Sequence, residues 1–174
     1  LFNREKVLLE NVYNKIRKKV IYKEYPSQRL LYQPSFSEIR NLSSNIIMAD
    51  NSDFRYIRAA ADIIVTDSTY STLSWCMIPK TPVIFLMSSE CSKLINKELE
   101  NLFEKSFFVV NTDLSNWPDK LKSILNLSMS KLKTIWKEKE ESRFLLEKNF
   151  IFGPKGISGI RAANYIDNLK GHFK

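Results

Sequence analysis

Two segments with continuous apolar centres, Asp62 to Thr66 and Thr81 to Leu86, constrain this chain more than any other feature. Ile63, Ile64 and Val65 are β-branched and adjacent, so the first run has no polar face to turn toward water. Strands apolar on both faces belong to parallel sheets covered by helices. About fifteen residues separate the runs, the length a crossover helix needs to return the chain for a parallel strand. The segment between them begins Asp67-Ser68-Thr69-Tyr70-Ser71-Thr72, a cluster of hydroxyls. That cluster falls at the carboxyl end of a strand and the start of a helix, the place where open α/β sheets bind ligands.

The rest of the chain repeats the alternation. Asn3 to Lys19 carries Val7, Leu8, Val12 and Ile16 between charges, the spacing of an amphipathic helix. Val20 to Tyr25 reads as a strand ended by Pro26, Gln28 to Ser37 as a loop, and Ser35 to Leu42 as a short helix. Asn45 to Ala49 is the next strand. Ser52 or Asp53 is placed to cap a helix running to Ala61. A helix is expected from Thr69 to Met77, another from Ser89 to Phe103, and a last strand from Ser106 to Val110. Leu114 to Leu125, Ser128 to Lys148 and Ser158 to Leu169 read as helices, with Trp117-Pro118 at a helix start. Trp75 and Trp136 read as core or interdomain packing. Five alternations of strand and helix predict an α/β fold: a Rossmann-like, doubly wound parallel sheet of about five strands.

A chain of 174 residues suits one domain, and 44% hydrophobic with 26% charged is ordinary for a globular protein. No apolar run approaches the twenty residues of a membrane span. The first residue is Leu1, and the expectation is a domain cut from a longer chain. The only histidine is His172, which argues against a histidine-based catalytic centre or zinc site within these residues. Cys76 and Cys91 read as two reduced thiols. The net charge of +8 suits a phosphorylated substrate or peripheral contact with an anionic membrane. No nucleic-acid-binding motif accompanies it.

Neither "GxGxxG" nor "GxxxxGK[ST]" occurs, so the dinucleotide fingerprint and the P-loop are excluded. The Asp67–Thr72 stretch offers another phosphate device: free amides at a helix start, supplemented by the hydroxyls of Ser68, Thr69, Ser71 and Thr72. The same residues also suit plain capping. Asp67 would repel a phosphate and reads as a loop-shaping residue or an N-cap.

"YIRAAADIIVTDSTYSTLSWCMIPKTPVIFL" resembles a pattern of bacterial surface-polysaccharide transferases: the CDP-glycerol glycerophosphotransferases of teichoic acid synthesis and related capsule, O-antigen and Kdo transferases. The likeness lies in Ala61-Asp62 through Asp67, in Ser71-Thr72, and in Lys80-Thr81-Pro82-Val83-Ile84-Phe85. Upstream, "VIYKEYPSQ" resembles their strand-end motif. Downstream, "FIFGPKGISGIRAANYI" resembles their closing helix. The resemblance implies a GT-B architecture in which this chain is the carboxyl-terminal, donor-binding domain. The catalytic base and acceptor site would then lie in a first domain, the fragment would be inactive alone, and no cofactor or metal would be needed. The implied partners are a nucleotide-activated sugar or polyol donor (CMP- or CDP-linked before UDP-linked) and a glycan or glycolipid acceptor. The implied location is the cytoplasm or the inner face of the bacterial membrane.

The roles follow residue by residue. Ser68, Thr69, Ser71 and Thr72 would hold donor phosphate, with Lys155 and Arg161 as cations. Lys23, Glu24, Tyr25 and Pro26 would line the cleft from the first strand, with Asp67, Tyr70, Gly156 and Ser158 completing it. Tyr25 stands where the family usually carries histidine, and a phenol cannot replace its charge near neutral pH. Two other classes compete: a non-enzymatic phosphate- or nucleotide-binding α/β module, and half of a sugar-nucleotide epimerase.

Overall fold

The computed structural model describes residues 2–23, 43–49, 52–67, 71–77, 80–92, 96–148, 159–160, 163–164 and 166. Helix α1 (Phe2–Val7) continues through a wide π turn (Leu8–Val12) and a tight 3-10 turn (Tyr13–Lys15). Leu8, Leu9, Val12, Tyr13 and Ile16 are buried, as the amphipathic spacing requires. The run stops at Ile16, whose backbone is extended. Strand β1 (Val20–Tyr22) then pairs in parallel with β2 (Ile46–Met48).

Asp53 caps α2 (Phe54–Ile57) by accepting a hydrogen bond from the Arg55 amide at 2.8 Å, and a 3-10 turn carries the chain to Ala60. Strand β3 (Ile64–Thr66) follows, then α3 (Ser71–Met77) and β4 (Val83–Met87). A short α4 (Ser89–Ser92) and α5 (Lys97–Ser106) lead to β5 (Phe108–Asn111). Helices α6 (Trp117–Leu125), α7 (Met129–Glu138) and α8 (Glu140–Leu146) follow.

The fold is α/β and its ladders are parallel. They form a two-stranded sheet, β1-β2, and a three-stranded sheet in the order β3-β4-β5. Every residue of β4 is buried. Side chains alternate between faces along a strand, so both faces of β4 are covered. This is what the continuous Val-Ile-Phe-Leu-Met run demands. Phe85 stacks on Phe103 of α5 at 5.1 Å between ring centroids and meets Phe107 at 6.1 Å. The β1-β2 pair differs. Val20, Tyr22, Ile46 and Met48 pack against the core, while Ile21 and Ile47, partners in register, are exposed.

Two expected helices are each divided. The segment expected from Ser89 to Phe103 contains two helices, because Asn96 caps a new one by accepting from the Leu99 amide at 2.8 Å. This second helix runs on to Ser106, which delays the last strand to Phe108. The segment expected from Ser128 to Lys148 breaks at Lys139. The Lys139 ammonium donates to the carbonyls of Glu104 and Lys105, at 3.1 and 3.2 Å. A cation there satisfies orphan acceptors at the end of α5 and complements its dipole. Trp136 is buried as expected, but Trp75 is 39% exposed, with the Arg58 guanidinium 4.9 Å above its ring.

Candidate functional site

Because β3, β4 and β5 are parallel and adjacent, their carboxyl ends share one edge. Asp67 follows β3, Ser88 and Ser89 follow β4, and Thr112 and Asp113 follow β5. Here the chain leaves the apolar layer and polar residues begin. The ends of β4 and β5 are tied together: Thr112 donates to the Met87 carbonyl through its amide at 2.7 Å and its hydroxyl at 3.1 Å. The Asp113 carboxylate accepts from the Ser89 amide at 2.6 Å, and the Asn111 side chain accepts from the Asp113 amide at 2.9 Å.

A cleft of about 420 Å³ opens at this edge. Ser88, Ser89, Glu90, Thr112 and Asp113 form its strand-end wall, and Arg4, Val7 and Trp117 close it from α1 and α6. Arg4 makes an ion pair with Asp67, joining α1 to the end of β3. Its Nε is buried and has no hydrogen-bond partner among the described residues. The Tyr13 phenol is pushed well above its ordinary value, chiefly by burial and further by the negative charge of Asp67. The cleft therefore offers one guanidinium, hydroxyls, an indole wall and two carboxylates. Hydroxyls and carboxylates of this kind exchange hydrogen bonds with polyols.

Four of the sequence-predicted site residues are described. Asp67 stands at the edge, beside Arg4. Ser71 opens α3, and Thr72 follows it half-buried. Lys23 lies at the end of β1, where its ammonium donates to the Ala49 carbonyl at 3.3 Å, and it is not among the residues lining the cleft. Ser68, Thr69, Tyr70, Glu24, Tyr25, Pro26, Lys155, Gly156, Ser158 and Arg161 lie outside the described residues.

The sequence reading missed Arg4, Ser88, Ser89, Glu90, Thr112 and Asp113. The last five had a signal: each sits just past a buried strand, as Asp67 does. Arg4 had none, because its partner lies 63 positions away. Among the described residues no group of His, Cys, Asp and Glu is placed to hold a metal ion. Nor is any described helix long and apolar enough to cross a membrane.

These features define an α/β protein with parallel strands and a polar cleft at their carboxyl edge. Comparison with protein-family models, curated proteins and solved structures finds no match.

Proposed function

We propose that this chain is the donor-binding part of a glycosyltransferase or glycerophosphotransferase that builds a bacterial surface polysaccharide. It would form one half of a GT-B fold, with its β1-β2 and β3-β4-β5 ladders belonging to one wound sheet. The carrying observation is the Arg4–Asp67 pair at the carboxyl end of β3, bordering a cleft walled by the ends of β4 and β5. Asp67 belongs to the stretch whose residues resemble the transferase motif, and the carboxyl edge is where open α/β sheets bind ligands.

In this reading the donor lies along the edge. Its sugar or polyol and ribose hydroxyls donate to Asp113, Glu90 and the Thr112 oxygen, whose own proton is held by the Met87 carbonyl, and accept from Ser88 and Ser89. Arg4 turns from Asp67 to a donor phosphate, which a guanidinium binds through paired N–H donors. Hydroxyls near Ser71 and Thr72 take the remaining phosphate oxygens. Fixed dipoles there would stabilise the charge gathered by the leaving nucleotide during transfer.

The count of charges also favours a second reading. The cleft residues Glu90 and Asp113, with Asp67 beside Arg4, outnumber the one guanidinium. That balance suits an uncharged polyol held by a module without catalysis.

Thermal unfolding separates the two. A ligand that binds only the folded state stabilises it, by about 2.7 kcal/mol at a hundred times its Kd. The transferase reading expects CMP, CDP, UMP or UDP at millimolar concentration to raise Tm in the wild type and to do so less in Arg4→Met. A response to glycerol or free sugars with none to nucleotides would replace it with the polyol module.

A further inference from the structure

At the opposite edge, where the strands begin, a second cavity of about 360 Å³ lies between α3, α7 and α8. One wall is Trp136, which is buried and stacked on both Phe107 and Phe108 at 6.3 Å. The Arg143 guanidinium lies over this indole, 3.7 Å from the ring centroid. Stacking holds the guanidinium flat and leaves its N–H edge available for hydrogen bonding.

Part of that edge has no acceptor among the described residues. Nη1 of Arg143 is buried without a hydrogen-bond partner, and the guanidinium makes no ion pair among the described residues. Glu140 stands three residues before Arg143 on α8, and Glu147, which ends the helix, four residues after it, the spacings at which ion pairs form. Both line the cavity and attract the guanidinium through space, yet neither forms an ion pair with it. A buried, unpaired N–H donor is costly, so an oriented arginine that passes over two adjacent carboxylates is arranged for an acceptor from outside.

The walls specify that acceptor. Lys80, Lys137 and Arg143 against Glu140 and Glu147 leave one net positive charge. One negative charge balances it, and a phosphate dianion would meet the two carboxylates in excess. Met77 and the exposed ring of Phe144 give the cavity an apolar side. We propose that this cavity binds a small monoanionic carboxylate carrying an apolar, planar body. Its carboxylate would lie on the fork of Arg143 and its body between Met77 and Phe144. The site is independent of the cleft at the carboxyl edge and of the transferase reading.

The test is an NMR titration of the 15N-labelled full chain with sodium benzoate. It follows the indole N–H signals of Trp75, Trp117 and Trp136, with the last assigned through Trp136→Phe. The expected result is a saturable shift of the Trp136 signal with a Kd on the order of 1 mM. Benzyl alcohol, the uncharged counterpart, should give none. Arg143→Met should weaken benzoate at least about tenfold, since it removes a charge-assisted bidentate contact. Arg143→Lys, which keeps the charge and loses the fork, should weaken it as well and serves if the methionine variant does not fold. Absence of a saturable Trp136 shift in the wild type would overturn the proposal, as would a folded arginine variant that binds benzoate normally. A shift confined to Trp117, which lines the other cleft, would do the same. Tighter binding of phenyl phosphate than of benzoate would overturn the assignment to a single charge.

Discussion

Arg4 of the first helix pairs with Asp67 at the carboxyl end of β3, and the two partners are unequally buried. The Arg4 side chain is 20% exposed and that of Asp67 is 45% exposed. The pair links the helix that covers the sheet to the edge where the polar cleft opens.

The inequality predicts an asymmetric mutational response. Arg4→Ala leaves a carboxylate that water can reach, and should cost about 1 kcal/mol or less. Asp67→Ala leaves a mostly buried guanidinium whose Nε already has no partner, and should cost roughly 2–3 kcal/mol. Urea unfolding of the two single variants and the double variant measures both costs and their coupling. Equal single costs would mean that burial does not set the balance.

Asn45 should be the most sensitive polar residue near the two-stranded sheet. Its amide nitrogen donates to the carbonyls of Tyr13, Ile16 and Lys18, at 2.9, 2.9 and 3.1 Å. These carbonyls belong to the stretch where α1 gives way to extended chain. Asn45→Ala removes every one of these bonds and should cost roughly 1–3 kcal/mol. Asn45→Asp should be no better, because a carboxylate faces three acceptors with no donor to offer. Denaturant midpoints of the two variants decide this.

Cys76 is fully buried, and burial pushes its thiol up to about 12. Only the thiolate reacts with alkylating agents. In a Cys91→Ser background, Cys76 should resist iodoacetamide at pH 8 for as long as the protein is folded. It should react promptly in urea. Mass spectrometry against time gives both rates, and rapid labelling of the folded protein would contradict the buried placement.

Asp53 should titrate low. Its carboxylate accepts hydrogen bonds from the side chain and the amide of Arg55, and these hold its pKa to about 2. A carboxyl depressed in the folded state contributes stability above its unfolded pKa of about 4 and loses it as pH falls toward 2. The start of α2 should therefore fray across that interval. Carboxyl carbon NMR should place the Asp53 midpoint near 2 in the wild type and nearer the ordinary value in Arg55→Ala.

The parts of this fold legible in the sequence are those fixed by local chemistry. The strand after Lys80 could be read because a continuous apolar run admits few alternatives. The cap before Phe54 could be narrowed to Ser52 or Asp53, and the helix start placed at Ser128, because short polar side chains favour those positions. Two helix breaks escaped for different reasons. Leu94 and Ile95 continue an apolar pattern up to Asn96, which masks the cap. At Lys139 the break is accompanied by an ammonium that reaches α5, a tertiary contact with no local signature. The cleft was half legible. The rule that pointed to Asp67 applies equally to Ser88 and Asp113, but nothing near Arg4 announces a partner in another element. The hydroxyls at Ser68 and Thr69, with Lys155 and Arg161, lie outside the described residues.

The burial of Leu9 and Val12 has a consequence for biosynthesis. The turn that carries them packs against α6, which follows about a hundred residues later. At roughly 5–20 residues per second, translation leaves this apolar face uncovered for on the order of 5–20 s. A helix loop closes in microseconds, so the ribosome and not the chain sets the pace of this docking step. During that interval Leu8, Leu9 and Val12 are the surface a holdase chaperone would engage, and release would await the emergence of Leu121.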